Sequence, residues 1–358
     1  MSASFEIQAS TGPYRVEIES GGFEKYLGGN ASGVAIADEF FTPAFAQMGR
    51  AAIFVRATEE NKSLVACPAL IEKLRKAGAN RQTELVAVGG GIVQDLSAFV
   101  ASVYMRGLAW TFVPTTVLSM VDSCIGGKSS INVGPYKNLV GTFHPPRKVL
   151  VDPALARTLP DDQKIGGLIE AAKICFCRGP ESFERHMTFG PSVAMSTERL
   201  EWLIVNSLTA KKWFIETDEF DQKERLLLNF GHTFGHAIEG ASHFGISHGV
   251  AVGLGILCAL AFERGHGVDY GSSRRTLVLE EHLDAMVREV AGVREHLSAL
   301  PLDDLLERFA SDKKHGADHY TVIVVTEGGE VVLRKISKRP EVLKAVRTAV
   351  EQVVERFA

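Results

Sequence analysis

The change of pattern near residue 160 constrains the fold of this chain more than any other feature. Before that point short apolar runs alternate with helical periodicity. Residues 14–18 (YRVEI), 33–37 (GVAIA), 51–55 (AAIFV), 84–88 (ELVAV) and 110–113 (WTFV) read as strands, and 64–77 and 92–105 as helices. Such alternation builds a parallel sheet covered on both faces. Beyond it, 163–176, 194–217, 231–241, 248–264, 276–290, 302–310 and 340–357 all read as helices, with one β-like stretch at 320–334. The run DPALARTLPDD at 152–162, with two prolines, marks the boundary. The expected fold class is an α/β, Rossmann-like nucleotide-binding domain with a parallel sheet at 1–158, followed by a mostly α-helical domain at 159–358. The cleft between two such domains is the natural place for a site.

Composition narrows the function. A net charge of −4 over 358 residues gives no reason to expect nucleic acid or an acidic membrane as partner. Cysteines 67, 124, 175, 177 and 258 form no regular framework, and Cys175 and Cys177 are too close for a CxxC pair. Reduced, packed thiols are expected. The first residues lack a basic segment followed by an apolar stretch, and no apolar run approaches the roughly 18–20 residues that span a bilayer. The expectation is a cytoplasmic protein.

Four constellations carry chemistry. In VAVGGGIVQD (86–95) a strand runs into Gly89, Gly90 and Gly91 and a helix opens. Glycines there admit a ligand to the backbone amides, and the helix start favours a pyrophosphate; a tight turn is the plainer alternative. Asp95 is available to a ligand hydroxyl or to the helix dipole. The segment 113–146 sets Thr115, Thr116, Asp122, Lys128, Asn132, Lys137 and Asn138 among glycines, which suits a phosphate or carboxylate better than a core. In GGLIEAAK (166–173), Glu170 and Lys173 share a helical face, as surface ion pairs commonly do, but their neighbours are apolar. Finally, Lys211, Asp218, Glu219, Arg225, Asn229, His232 and His236 precede His248. Imidazoles this dense can bind a metal, move protons, hold a phosphate or pack. By spacing alone His232 and His236, at i and i+4, are the metal pair and His248 the weaker candidate. With Glu170, the set suits Zn2+ with an open position.

The motifs GGGxxxD, VPTT, VDSCIGGK, KNLVGTFHPP, DP…TLP, GGLIEAAK, LNFGHTFGHAIE and HGxAVGLG, in this order and spacing, resemble 3-dehydroquinate synthase and, more broadly, the sugar-phosphate cyclases. The likeness runs over about 30–265 and includes SDKK at 311–314. It implies NAD+ contacts at Asp38, Glu59, Lys62, Gly90, Gly91, Asp95, Thr115, Thr116, Lys137 and Thr158. It implies a divalent metal, Zn2+ or Co2+, on Glu170, His232 and His248, which moves His236 from ligand to substrate contact. The other substrate contacts implied are Asp122, Lys128, Asn138, Lys173, Lys211, Arg225 and Asn229, with Lys314 or Lys313 on the substrate phosphate. Arg106 resembles the arginine that reaches a phosphate in a partner's site, which implies a homodimer.

The resemblance also implies the reaction: oxidation of a ring carbinol, β-elimination of phosphate, re-reduction, ring opening and an intramolecular aldol closure. The cofactor is recycled, so the enzyme is a carbon–oxygen lyase. Arg225 and Lys211 suit a substrate carboxylate, favouring 3-deoxy-arabino-heptulosonate 7-phosphate in the shikimate pathway. Three departures point the other way: Val250 stands where the family usually has glutamate, ICFCRGP follows Lys173 where Tyr-Gly is usual, and HGADHYTVIVVTEGGE after DKK is only loosely similar. A cyclase of sedoheptulose 7-phosphate or a related sugar phosphate, of the epi-valiolone or deoxy-inosose type, is the alternative. A metal-dependent polyol or alcohol dehydrogenase shares the glycine turn and paired histidines, but lacks KNLVGTFHPP and commonly uses aspartate as ligand. A non-catalytic protein that kept the fold would have no need of the full set of ligands and lysines.

Overall fold

The structure, a computed structural model, describes residues 2–28, 33–134 and 136–357. Packing divides the chain into two compact units, Met1–Leu159 with Ser196–Phe220 and Pro160–Met195 with Asp221–Ala358.

The first unit is built on β1 (Ser2–Ile7), β2 (Tyr14–Glu19), β3 (Val34–Asp38), β4 (Ala52–Val55), β5 (Leu85–Gly89) and β6 (Trp110–Pro114). A small hairpin of β7 (Ile131–Val133) and β8 (Tyr136–Val140) precedes β9 (Lys148–Val151). The main sheet runs β1-β2-β9-β6-β5-β3-β4, and only β1–β2 is antiparallel. Central β5 is buried at every position, which is why LVAV shows no polar alternation. Around the sheet lie α1 (Gly22–Gly28), α2 (Thr42–Gln47), α3 (Ala66–Lys76) and α4 (Gly91–Val103). Phe23, Leu27, Phe41 and Phe45 pack on Val86, Val88, Val113 and Leu150, each large side chain contributing about 1.5–3 kcal/mol. The chain leaves β3 for β4 on one side and returns to β5 on the other. The topological switch therefore lies between β3 and β5, where such sheets hold ligands at the strands' carboxyl ends.

Next come α5 (Asp161–Arg178), α6 (Pro180–Thr188) and α7 (Thr197–Thr217). The sequence assigns 196–220 to the helical half, but by packing α7 belongs with the sheet. Its buried face serves main-chain carbonyls there: Ser207 Oγ donates to Val121 O at 2.9 Å, and Lys211 Nζ to Asp122 O and Ile125 O at 2.6 and 3.2 Å.

The second unit holds α5, α6, α8 (His232–Ala241), α9 (His248–Gly265), α10 (Arg274–Arg288), α11 (Val293–Ser298), α12 (Leu302–Ala310) and α13 (Pro340–Phe357). The β-like stretch is a hairpin, β10 (His319–Val325) with β11 (Val331–Ser337). Helix α9 packs against α5, α8, α10 and α13. Contrary to the sequence expectation, its 18 residues are apolar enough to cross a membrane by length and composition. Packing on four helices accounts for that apolarity. Two close approaches set its position: a Cβ on Gly249 would lie 2.3 Å from Gly166 O, and one on Gly255 2.0 Å from Gly231 O. Small residues there let α9 touch α5 and the start of α8.

Candidate metal and ligand sites

Helix packing in the second unit gathers the predicted metal residues. Glu170 and Lys173 lie on α5, each 1% exposed, so the surface-pair reading is overturned; they form an ion pair through Glu170 Oε2. The other oxygen, Oε1, is buried and accepts no hydrogen bond among the described residues. It faces His248 Nε2 at 3.6 Å and His232 Nε2 at 3.9 Å. His232 begins α8 directly after Gly231 (φ +79°), and its Nδ1 lies 3.3 Å from Phe230 O. His248 begins α9, and its Nδ1 lies 3.2 Å from Glu239 Oε2. His236, one turn along α8, joins the cluster: one ring nitrogen from each of the three histidines lies within 4.8 Å of the others. Spacing alone thus pairs His232 with His236 correctly as neighbours, but Glu170 approaches His232 and His248.

The histidines differ in their surroundings. Burial, then the Lys173 charge, lowers the His232 pKa well below the usual imidazole value. Burial likewise lowers His236 to about 4, against the opposing pull of the Asp312 carboxylate. His248 is half-buried, and although desolvation opposes it, the hydrogen bond to Glu239 and the charges of Glu239 and Glu170 raise its pKa. His236 Nδ1 sits 3.7 Å from Asp312 Oδ2 and 3.5 Å from Lys314 Nζ, and Lys314 pairs with Asp312 at 3.2 Å. Of the two SDKK lysines, Lys314 therefore meets the cluster, while Lys313 is exposed. Arg225 is buried in the turn Glu224–Asn229, and Asn229 Nδ2 donates to Leu226 O at 3.0 Å. The sequence reading missed Glu239 and Asp312, the carboxylates that orient His248 and His236. Their signal was proximity in sequence to HAIE and DKK, which spacing alone does not interpret.

In the first unit, Asp38 ends β3, and Gly90 and Gly91 follow β5; Thr115 and Thr116 follow β6. These are the strand ends at and beside the switch. Thr115 N donates to Gly89 O at 3.0 Å, and a Cβ on Gly90 would press on Thr116 Cγ2 at 2.9 Å. A Cβ on Gly91 would meet nothing within 4 Å, so packing does not require that glycine. Burial raises the Asp38 pKa, and raises Asp95 to about 6 despite Lys62.

A polar network joins more of the predicted residues. Lys62 Nζ lies 3.2 Å from Asp95 Oδ2, 2.8 Å from Asn138 Oδ1 and 3.6 Å from Glu59 Oε1, and Lys137 Nζ is 3.6 Å from Glu59 Oε1. Asp122 pairs with buried Lys211 at 2.5 Å, so in this structure Lys211 holds the 121–125 turn. Lys128 is half-buried and bridges to Phe143 through the main chain. Arg106 (φ +71°) and Thr158 are exposed, and among the described residues neither is bonded into this network.

Comparison with known proteins agrees with the fold and the motifs. The N-terminal pattern of 3-dehydroquinate synthase matches residues 52–166 and its C-terminal pattern residues 167–315. The 2-deoxy-scyllo-inosose synthase of Streptomyces kanamyceticus is 33% identical over 320 residues, 87% of this chain and 80% of that protein. The 3-dehydroquinate synthase of Solibacter usitatus is 34% identical over 294 residues, 81% of this chain and 80% of that one. A crystal structure of 2-deoxy-scyllo-inosose synthase with carbaglucose-6-phosphate, NAD+ and Co2+ superposes with a TM-score of 0.83 at 22% identity. It covers 98% of this chain and 99% of the other, and so shares the fold. The chain belongs to the 3-dehydroquinate synthase family, within the sugar-phosphate cyclases.

Proposed function

We propose that this protein is an NAD+- and metal-dependent cyclase that eliminates phosphate from a seven-carbon sugar phosphate. Its substrate in this reading is 3-deoxy-arabino-heptulosonate 7-phosphate, converted to 3-dehydroquinate in the shikimate pathway. The observation that carries the reading is Glu170 Oε1, a buried acceptor that takes no hydrogen bond among the described residues, facing one nitrogen each of His232 and His248. One carboxylate oxygen and two imidazoles suit Zn2+ or Co2+ with a position left for substrate. Bound there, the metal would supply Lewis acidity at a carbinol oxygen, and NAD+ the capacity to accept and return a hydride.

The protein's residues do the rest. Glu170, His232 and His248 would hold the metal, and Glu239 fixes the His248 ring, as partners of ligating histidines commonly do. Neutral His236, facing Asp312 and Lys314 through Nδ1, is suited to handle a proton beside the departing phosphate. Lys314 supplies positive charge for that phosphate, with Lys313 as the alternative, and Arg106 supplies more from a partner subunit in a homodimer. Gly90 and Gly91 bring main-chain amides to the NAD+ pyrophosphate at the start of α4; the open space at Gly91 supports this. Asp38, Glu59, Lys62, Asp95, Thr115, Thr116, Lys137 and Thr158 make up the remaining cofactor contacts. Asp122, Lys128, Asn138, Lys173, Lys211, Arg225 and Asn229 contact or frame the substrate. The five free cysteines fit a cytoplasmic enzyme, as does a substrate that is a small metabolite rather than nucleic acid or lipid.

A second reading, a cyclase of sedoheptulose 7-phosphate or a related neutral-headed sugar phosphate, is favoured by one observation. Lys211 already serves Asp122 and two carbonyls, which leaves Arg225 to carry the carboxylate argument. Offering the two sugar phosphates separately, with NAD+ and Zn2+, decides between the readings. Phosphate release from the heptulosonate supports the first, and release from sedoheptulose 7-phosphate alone overturns it.

A further inference from the structure

Asn132 sits in the β7–β8 hairpin, and neither the metal set nor the ligand contacts above include it. It is buried, and each of its polar groups is engaged within the first unit. Its amide Nδ2 donates to Glu59 Oε1 at 2.8 Å and to the Glu59 carbonyl at 3.2 Å. Its Oδ1 accepts from the Asn138 main-chain N–H at 2.9 Å. Its own N–H donates to Lys62 O, and its carbonyl accepts from Leu64 N–H, both at 2.9 Å. The hairpin is thus clamped to residues 59–64 through one side chain and its peptide groups.

What the clamp holds is unusual. Asn138 has φ +52°, a left-handed backbone that non-glycine residues adopt only when surroundings enforce it. The Asn132 side-chain Oδ1 accepts the N–H of that residue. In this conformation Asn138 Oδ1 accepts from Lys62 Nζ, which also reaches Asp95. The two ends of one amide therefore serve two different groups.

We propose that Asn132 is a positioning residue that sets the cofactor contact Glu59 with its donor end and the substrate contact Asn138 with its acceptor end. The inference rests on the assignment of Glu59, Lys62 and Asp95 to NAD+ and of Asn138 to substrate. Because the two ends differ chemically, substitution separates them. Asn132→Asp keeps an oxygen for the Asn138 N–H but removes the donor to Glu59 and sets a second carboxylate against it. Asn132→Ala removes both ends without adding charge.

The test uses full-length, Zn2+-loaded protein. NAD+ affinity is read by titration calorimetry, KM and kcat by phosphate release at saturating NAD+, and folding by melting temperature. Asn132→Asp is expected to weaken NAD+ binding about tenfold or more, the scale of a lost hydrogen bond to a charged group. Its KM for the sugar phosphate should stay within about twofold, since the acceptor end is kept. Asn132→Ala should raise both constants, and it serves as the probe if the aspartate variant does not fold. Unchanged NAD+ affinity in a folded Asn132→Asp protein overturns the proposal, as does an equal change in both constants, the mark of a loosened hairpin. For Asn132→Ala, a change confined to one constant or to neither overturns it. Wild-type protein that binds no NAD+ overturns the parent reading instead, so the two failures are told apart.

Discussion

At the scale of single residues, the buried Glu170–Lys173 pair couples stability to metal binding. Removing Glu170 leaves an ammonium buried without its counter-ion, which costs about 3–5 kcal/mol. Glu170→Ala should therefore lower the urea midpoint of metal-free protein and also lose bound Zn2+. Adding Lys173→Met should restore much of the stability but none of the metal. Recovery of metal in the double variant would show that Glu170 is not a ligand. Arg225 makes a separate prediction. Arg225→Ala should raise KM for the carboxylated heptulosonate about tenfold or more, the scale of a lost charged hydrogen bond, and leave a neutral-headed sugar phosphate little changed. Equal losses for both substrates, measured by phosphate release, would remove the carboxylate from the account. At this scale the sequence is readable wherever a residue type has few uses, as with the clustered histidines and the glycines after a strand; for Glu170 and Lys173 only packing replaces a surface pair with a buried one. Glu239 and Asp312 escaped because a carboxylate's role depends on which ring it faces, and only packing decides that.

Among secondary-structure elements, the decisive contact is α9 against α5 and α8. It brings Glu170 on one helix to His232 and His248 on the first residues of two others. Gly249 makes this possible, since its Cβ would overlap Gly166 O. Gly249→Ala should cost about 1–3 kcal/mol by overpacking, and push His248 away from Glu170, so Zn2+ affinity should fall along with melting temperature. A drop in melting temperature with unaltered Zn2+ affinity would separate the helix contact from the site. The elements legible in the sequence are β2 to β6, α3 to α5, α7 to α10, α12 and α13. The strands β1 and β9 are not: SASFEI carries too few apolar residues to stand out, and KVLV lies between the prolines at 145–146 and the turn-rich run 152–162. Short helices such as α1, α2 and α11, of six or seven residues, offer too few turns for a pattern to register. The β7–β8 hairpin was read as a ligand loop, since the residues that fix it are polar and glycine-rich rather than apolar.

Over the whole molecule, the sequence divides into halves at 158, whereas packing returns α7 to the sheet unit. A linear boundary has no means of expressing an excursion of the chain; the bonds of buried Ser207 and Lys211 to the 121–125 carbonyls reveal it. Stability as a whole should depend on acidity through a pair away from the metal cluster. His186 on α6 and His282 on α10 have ring centroids 6.1 Å apart. Burial, followed by the charge of His282, lowers His186 to about 3, and burial lowers His282 to about 4. Both folded values lie below the unfolded one, so the unfolded chain binds protons first. Their stabilisation is complete above about pH 6.5 and is lost on acidification toward pH 4, by up to about 1.4 kcal/mol per pH unit for each histidine. His282→Leu should flatten that dependence in denaturation curves taken between pH 7 and 5. An unchanged slope would assign the acid sensitivity elsewhere.

In the proposed reaction a bound NAD+ is used and regenerated while phosphate leaves. The most direct measurement follows inorganic phosphate and absorbance at the NADH band together, with 3-deoxy-arabino-heptulosonate 7-phosphate, NAD+ and Zn2+. The account predicts many turnovers of phosphate with no accumulating NADH, and loss of both binding and turnover on chelation. NADH rising in step with substrate consumed, without phosphate release, would make the protein a dehydrogenase and contradict it.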